Sequence, residues 1–391
     1  MLSFLHSADW QIGKPYARVH DADKRARLRQ VRLEAITRIG AHAQRSKATF
    51  LLVAGDLFDS PTPSSSDVSA VCQAIGRLEL PVLVIPGNHD HGAPGSVWHS
   101  AFFLAEQQRR APNLQVLLER QPLELDAAIV LPCPLLRRSD NSDPCQWLNQ
   151  LDWESLQASK PRILLAHGSV HGFAAADLDA DEENQASANN RLQLHDTLLQ
   201  QIDYAALGDW HGLKQVNAKT WYSGTPEPDR FPRSADYQGA QVLQVQVSRG
   251  GLPQVMPLPT GALQWHPLQV QVQGDEDLPR LEQQLDALVG QEPGTHLLLL
   301  EEGGCLSLEG QRRYEALIER LEAQLLRLKR RGRCQLQAGA NELLALCSRP
   351  GDPLIAKVAA TLQADLLKGG DGEEAELLQL ALGELHRCVE A

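Results

Sequence analysis

The chain of 391 residues lacks the features that mark several protein classes. Its seven cysteines are scattered and never form a CxxC pair, which argues against a zinc ribbon or a disulfide framework and predicts reduced thiols. No apolar run is long enough to span a bilayer, and no basic segment followed by a long apolar stretch stands at the start. We therefore expect a cytoplasmic protein with no secretory leader and no membrane contact.

A surplus of positive charge is also missing, because the formal net charge is −12. Residues 261–391 hold 13 basic and 21 acidic residues and so carry most of this negative charge. A protein that grips DNA unaided usually presents a basic surface. Any function on nucleic acid must therefore depend on metal ions, on a local basic patch or on a partner.

The pattern of apolar runs predicts an α/β fold, and the length predicts two domains. Helix-length segments, such as the amphipathic stretch 23–43, alternate with strand-length runs. These runs are 2–6, 49–54, 81–86, 127–132 and 162–166. Short strand-like segments follow between 203 and 260. Together they predict two packed sheets with a parallel core, flanked by helices.

The remaining sequence predicts three further parts. Residues 172–190, rich in Ala, Asp, Glu and Asn, indicate a long solvated loop, and 259–267 indicate a linker. The pattern predicts strands over 268–273, 295–302 and 333–337 and helices over 277–289, 310–330, 353–367 and 373–389. The expected domains are therefore 1–260, an α/β unit at 268–340 and two helices within 350–391.

Five apolar runs are followed closely by residues suited to binding divalent cations. Four of these runs are named above, at 2–6, 49–54, 81–86 and 162–166, and the fifth ends at Gly208. These residues are Asp9; Asp56; Asn88 with His89 and Asp90; His167; and Asp209 with His211. Sites in open α/β sheets form at the carboxyl ends of strands. Each residue alone is more often a cap or a turn residue, but the ordered set predicts a metal site.

The chemistry that needs such a set is hydrolysis of a phosphate ester. Two cations roughly 3.5–4 Å apart neutralise the phosphate oxygens and lower the pKa of a shared water. Holding two cations so close requires a bridging anion, and Asp56, after a glycine turn, is the natural bridge. The sequence therefore predicts a phosphodiesterase that depends on two divalent metals.

These residues resemble the calcineurin-like metallophosphoesterases. The fuller strings SADWQIGK, AGDLFD, PGNHD, GDWHG and YSGTPEPDRF resemble the SbcD-type DNA repair nucleases, within them the YhaO-like branch. The resemblance implies a four-layered α-β-β-α metallophosphoesterase sandwich over 1–260, a small α/β capping domain and a helical C-terminus. It also implies a metal-dependent DNA exonuclease or endonuclease working with an SMC-like ATPase; a homodimer is left open.

Carried over by position, the resemblance implies two metal positions and a catalytic histidine. One metal takes Asp9, Gln11, Asp56 and His211, and the other takes Asp56, Asn88, His167 and Asp209. His89 matches the residue that stabilises the transition state and protonates the leaving oxygen, and Asp90 would orient its ring.

The sequence departs from the family pattern at Gln11 and Asp209, where histidine is usual. Both changes replace nitrogen by oxygen, which predicts Mn²⁺, with Mg²⁺ as the alternative. They also keep two rivals open: a phosphodiesterase or phosphatase acting on small phosphates or phosphoproteins, and a weakly active structural subunit of a repair complex.

Two basic clusters could contact DNA, but an ordinary structural role is the favoured interpretation of both. Arg327, Lys329, Arg330, Arg331 and Arg333 lie at a predicted helix C-terminus, where cations meet the helix dipole. Arg25, Arg27, Arg29 and Arg32 are interpreted as a solvated helix face. For the apolar stripe Leu378, Leu382, Leu385 and Val389, packing within its own domain and a partner groove stay equal alternatives.

Overall fold

The computed structural model describes residues 1–139, 141–170, 190–232, 237–336, 339–368 and 373–390. The chain divides into two compact units, Met1–Leu263 and Gln264–Ala391. Among the described residues, no helix is both long enough and apolar enough to cross a membrane. The loop predicted over 172–190 lies outside the described residues, apart from Asn190.

The first unit contains two six-stranded mixed sheets. The first sheet consists, in spatial order, of β14 (Gln254–Pro259), β13 (Gln241–Val247), β1 (Leu2–Ser7), β2 (Leu51–Ala54), β3 (Val82–Ile85) and β4 (Leu114–Val116). The second consists of β11 (Lys214–Gln215), β12 (Thr220–Tyr222), β10 (Tyr204–Gly208), β7 (Arg162–His167), β6 (Ile129–Cys133) and β5 (Leu123–Glu124). Strands β1 to β4 are parallel, as are β6, β7, β10 and β12. A short pair, β8 (Ser169–Val170) and β9 (Arg191–Leu192), lies apart.

The two sheets pack face to face, and helices cover their outer faces. Phe4 and Phe50 of the first sheet stack at 5.1 Å within a core that also contains Ile163 and Leu165 of the second. The outer helices are α1 (Ala22–Ser46), α2 (Ser65–Gly76), α3 (Ala101–Arg110) and α4 (Asp196–Gln201). The parallel runs are buried on both faces, which explains their continuous apolar sequences. The four-layered sandwich predicted from the sequence is confirmed.

Helix α1 shows how the local sequence sets an element. The carboxylate of Asp21 accepts the backbone N–H groups of Asp23 and Lys24 and so caps the first turn. Val31 and Ile36 face the sheet and are buried, as their spacing predicts. The helix presents the same face over its whole length because the apolar residues recur every three or four positions.

The second unit is a parallel sheet with five helices among its described residues. The strands are β15 (Gln264–Val272), β16 (His296–Leu306), β17 (Arg327–Gly332) and β18 (Gln335–Leu336). The helices are α5 (Leu278–Val289), α6 (Leu308–Gln324), α7 (Ala340–Cys347), α8 (Pro353–Leu367) and α9 (Glu373–Glu390). Leu285 and Tyr314 anchor the core under the sheet. Leu346, Ala359 and Leu382 form a separate small core between the last three helices.

Three expectations for the second unit need correction. β15 begins at Gln264, so half of the predicted linker is a strand. α6 ends at Gln324, and the basic run therefore lies on β17 and just beyond it rather than at a helix end. The helix-dipole explanation is wrong, because Arg330 instead pairs with Glu302 and Glu315. Helix α7 was not foreseen. The separation of 268–340 from 350–391 as distinct domains stays a prediction.

Candidate metal centre

The candidate site lies where strands from both sheets end. Asp9 and Asp56 follow β1 and β2, and Asn88 follows β3, all in the first sheet. His167 closes β7, and Asp209 follows β10, in the second sheet. Because the two sheets face each other, their carboxyl ends bring these side chains together. The structure thus gathers the residues that the sequence indicated, while their roles as ligands stay predictions.

The backbone is strained at four of these positions. Asp9 (φ 54°), Gln11 (φ 44°), Asp56 (φ 54°) and Asp209 (φ 101°) all adopt the positive φ that non-glycine residues rarely take. The two loops of the first sheet brace each other, since the Gln11 N–H donates to the Asp56 carbonyl at 2.8 Å. Such strain is characteristic of functional sites, where the surroundings hold an otherwise unfavourable conformation.

Asp9, Asp56 and His167 form the buried heart of the site. One ligand atom from each lies within 4.8 Å of the others, and none of the three residues is more than 1 % exposed. The Nε2 of His167 is 3.0 Å from the Asn88 amide oxygen and 3.8 Å from an Asp209 oxygen. Its Nδ1 lies 2.8 Å from the carbonyl of Ala54, a contact that turns Nε2 toward the acidic cluster.

The electrostatics fit a divalent cation. Burial raises the pKa of Asp9 to about 6. Burial lowers the pKa of His167, but the carboxylates of Asp56, Asp9 and Asp209 outweigh it and raise that pKa to about 9. Mutual repulsion opposes the ionisation of buried carboxylates, and a bound cation offsets that repulsion. The donor set is rich in oxygen, which suits harder divalent ions.

Gln11 and His211, in the other half of the site, are engaged in hydrogen bonds. The Gln11 oxygen accepts from the Lys14 ammonium at 3.1 Å, and the Gln11 nitrogen lies 3.3 Å from His211 Nε2. His211 Nδ1 is 3.1 Å from a carboxylate oxygen of Asp229, which is fully buried. Arg230 and Lys14 contact the same carboxylate and, with His211, hold the pKa of Asp229 well below its usual range despite its burial.

The structure gives Asp90 a different setting from the one expected. Its carboxylate accepts the backbone N–H groups of Phe58 at 3.1 Å and Gly87 at 2.7 Å and so shapes the turn. Burial, with a smaller contribution from Asp56, raises its pKa to about 7. The ring Nδ1 of His89 instead faces Asp59, 3.0 Å from its carbonyl and 3.8 Å from its carboxylate. Asp59, rather than Asp90, therefore stands beside the His89 ring nitrogen.

Arg32 is the clearest residue that sequence reasoning misplaced. It is only 2 % exposed rather than part of a solvated face. Its guanidinium donates to the carbonyls of Trp10 and Glu227, both at 2.8 Å, and to the Tyr16 hydroxyl at 3.0 Å. It thereby holds the strained loop that carries Asp9 and Gln11. The signal was present, because Arg32 lies four positions after Leu28 and four before Ile36 on the buried face of α1.

Asp229 and Arg230 were also not assigned to the site from the sequence, although a sequence feature marks them. They stand together in the otherwise uncharged end of YSGTPEPDRF, and both are buried. Ser169 was missed too; its hydroxyl donates to Asp209 at 2.8 Å.

A family model described as calcineurin-like phosphoesterase matches residues 2–238, more than half of the chain. The chain belongs to the calcineurin-like phosphoesterase family. This membership makes it a metal-dependent hydrolase of a family that uses divalent metals, and the Asp9–Asp56–His167 cluster is the candidate site for them.

Two relatives carry the resemblance toward nucleases. The chain is 22% identical over 263 residues to the D component of the nuclease SbcCD of Staphylococcus epidermidis, covering 63% of this chain and 66% of the relative. It is 25% identical over 267 residues to the DNA double-strand break repair protein Mre11 of Methanosarcina acetivorans, covering 64% of this chain and 39% of the relative. The chain thus spans less than two thirds of the length of either relative. These similarities support the predicted SbcD-type nuclease family.

Proposed function

We propose that this calcineurin-like phosphoesterase is a phosphodiesterase that hydrolyses DNA in repair. The observation that carries the proposal is the buried cluster of Asp9, Asp56 and His167 at facing strand ends, with Asn88 and Asp209 beside it. DNA is favoured over other phosphate esters because the two relatives are named as a nuclease component and a break-repair protein. The cytoplasm is the proposed location.

Each half of the cluster has a role in holding cations. Asp56, with an oxygen 3.7 Å from His167 Nε2, is the residue we assign as the bridge between two positions. Asn88, His167 and Asp209 complete one position, and Asp9, Gln11 and His211 complete the other. Divalent cations held there, Mn²⁺ by preference and Mg²⁺ as the alternative, would neutralise the phosphate oxygens and lower the pKa of a water.

We assign His89 the role of assisting the leaving group. Its side chain is 22% exposed, and its backbone N–H donates to the Asp56 carboxylate at 2.9 Å, which fixes the backbone of His89 beside the centre. Nδ1 lies near Asp59, and we assign the other ring nitrogen, Nε2, to the substrate side. Because Nδ1 donates to the Asp59 carbonyl, the ring would need a proton on each nitrogen to act as an acid. The Nε2 proton would then pass to the departing oxygen of an in-line displacement by water, which requires no covalent intermediate.

The proposal extends to an SMC-like ATPase partner. The chain is acidic, so a partner that supplies grip on DNA fits its charge. The last three helices carry exposed apolar side chains beside their small core, namely Leu344, Leu354, Val358 and Leu377. We assign these exposed side chains to contact with the partner. The buried stripe residue Leu382, in contrast, packs within its own unit.

The test compares three substrates with Mn²⁺ present: linear duplex DNA, circular single-stranded DNA and bis-p-nitrophenyl phosphate. The proposal expects cleavage of DNA that chelation abolishes and that Asp56→Asn removes. The matched control is Asp126→Asn, an exposed aspartate between β5 and β6. Hydrolysis of the small ester alone favours an enzyme of small phosphates. Metal binding without any hydrolysis favours a purely structural role in a repair complex, a rival that the Lys14–Gln11 bond supports.

A further inference from the structure

We propose that Lys14 makes the two metal positions unequal, so that one divalent ion binds tightly and the second binds only when the Lys14–Gln11 hydrogen bond breaks. The inference rests on the proposed function, because it concerns the same centre. It adds a residue that is not a ligand but sets how many ions the centre holds.

The hydrogen bonds around Gln11 form a closed ring. Lys14 Nζ lies 3.1 Å from the Gln11 oxygen, and the Gln11 nitrogen lies 3.3 Å from His211 Nε2. His211 Nδ1 lies 3.1 Å from Asp229 Oδ1, and Asp229 Oδ2 returns to Lys14 Nζ at 2.9 Å. The side chain of Lys14 is 11% exposed and that of Asp229 is fully buried, so water competes weakly with these contacts.

The chemistry of the groups fixes the direction of every bond. An ammonium can only donate, so the Gln11 atom that faces Lys14 is the oxygen and the atom that faces His211 is the NH₂. His211 Nε2 must then accept, and Nδ1 carries the proton that Asp229 accepts. Arg230 donates to both carboxylate oxygens of Asp229 at 3.1 Å, and its Nη2 lies 3.0 Å from His211 Nδ1, next to the proton that Asp229 accepts. The ring thus directs the Nε2 lone pair of His211 inward, as a metal ligand requires, but occupies it with the Gln11 amide.

A cation that binds between Gln11 and His211 must displace two hydrogen bonds and approach the positive charge of Lys14. The Gln11 oxygen has to leave the Lys14 ammonium, and His211 Nε2 has to leave the amide. The buried ammonium then faces the incoming dication at short range, where repulsion is weakly screened. At the opposite position, the contacts described for His167 Nε2 are to oxygens of Asn88, Asp56 and Asp209 and include no lysine. A proton on the His167 ring leaves when an ion binds there, whereas the Lys14 ammonium keeps its charge.

Metal titration tests the inference without relying on turnover. Calorimetry with Mn²⁺ at fixed pH, and metal analysis of gel-filtered protein, should give one tight ion and a second bound at least tenfold more weakly. Lys14→Met should tighten the second ion at least tenfold while the first changes less than threefold. Lys14→Arg keeps the donor and the charge, and it should keep the inequality. Lys357→Met, at an exposed lysine of α8, controls for loss of one positive charge.

Two results overturn the inference. One is a wild-type protein that binds two ions with equal affinity, and the other is a Lys14→Met variant with an intact first ion and an unchanged second. If Lys14→Met does not fold, Lys14→Gln, which is neutral but polar, carries the same test. Equal binding of two ions with DNA cleavage intact would refute only the role of Lys14. Absence of any Mn²⁺ binding would refute the proposed function itself.

Discussion

Proton release on metal binding is the most direct consequence of the electrostatics at the centre. Without metal, the carboxylates around His167 raise its pKa to about 9, and burial raises the pKa of Asp9 to about 6. A metal binds imidazole and carboxylate only in their unprotonated forms. His167 and Asp9, which we assign to different metal positions, must therefore lose any proton they carry as the two positions fill, and the affinity for metal must rise with pH.

The size of the effect follows from the two pKa values. At pH 7, His167 is almost fully protonated and Asp9 is mostly ionised, so binding should release about one proton. At pH 6, Asp9 is about half protonated, and the release should grow to about 1.5 protons. The apparent affinity should accordingly increase about tenfold or more for each pH unit between 6 and 8.

Calorimetric titration of Mn²⁺ in buffers with different ionisation enthalpies measures this proton count directly. The ligand variant His167→Asn should release about one proton fewer at pH 7 than the wild type. The control Asp126→Asn changes an exposed aspartate between β5 and β6, and it should keep the pH dependence. A proton count near zero at pH 7, or an affinity that does not change between pH 6 and 8, would refute the reasoning.

Four further predictions follow from other parts of the structure. His89→Ala should lower turnover roughly 10²–10⁴-fold, measured on the substrate that the wild type cleaves, with Mn²⁺ binding unchanged; wild-type activity would remove His89 from the mechanism. Activity should be higher with Mn²⁺ than with Zn²⁺, and Gln11→His should tighten the second ion; unchanged affinities in calorimetry would show that residue 11 is not a ligand. Burial lowers the pKa of His6 from 6.5 to about 3. Below pH 6.5 the unfolded chain therefore binds a proton that the folded state does not bind, and the free energy of unfolding falls as pH drops. By pH 5 this loss should reach about 2 kcal/mol, seen as a shallower pH dependence of urea unfolding in His6→Gln. Deletion of residues 350–391 should leave hydrolysis of a small phosphodiester intact and abolish co-purification with the ATPase; retained binding would return these helices to a purely structural role.

The sequence predicted those parts of the fold and site that depend on neighbouring residues. Helix α8 has the predicted bounds, Pro353–Leu367, because proline at its start is a local signal. The strand ends were recognisable because each apolar run stops at a polar residue. The cap residue Asp352, however, pairs with Arg349 rather than with the helix N-terminus, a choice that local pattern does not reveal.

The parts that the sequence did not predict depend on contacts between distant residues. Arg32 bonds Thr225, 193 positions away, and His6 bonds Tyr204, 198 positions away. Such pairs follow from the packing of two sheets rather than from any local pattern. The same holds for Lys14, whose role emerges only once folding places it beside both Gln11 and Asp229. Sequence reasoning therefore found the groups at the strand ends and missed the groups that orient them.

The two departures from the family pattern act on opposite halves of the centre. Asp209 adds a carboxylate that lies 3.8 Å from His167 and accepts from Ser169, which makes its half more negative. Gln11 stands where the family pattern has histidine, and the oxygen of its amide already bonds an ammonium. On the proposed assignment this would make its half less able to hold a cation. Because the first change attracts a dication and the second opposes one, they do not simply weaken the centre. On the proposed ligand assignment, they would concentrate metal affinity on the side of Asn88, His167 and Asp209.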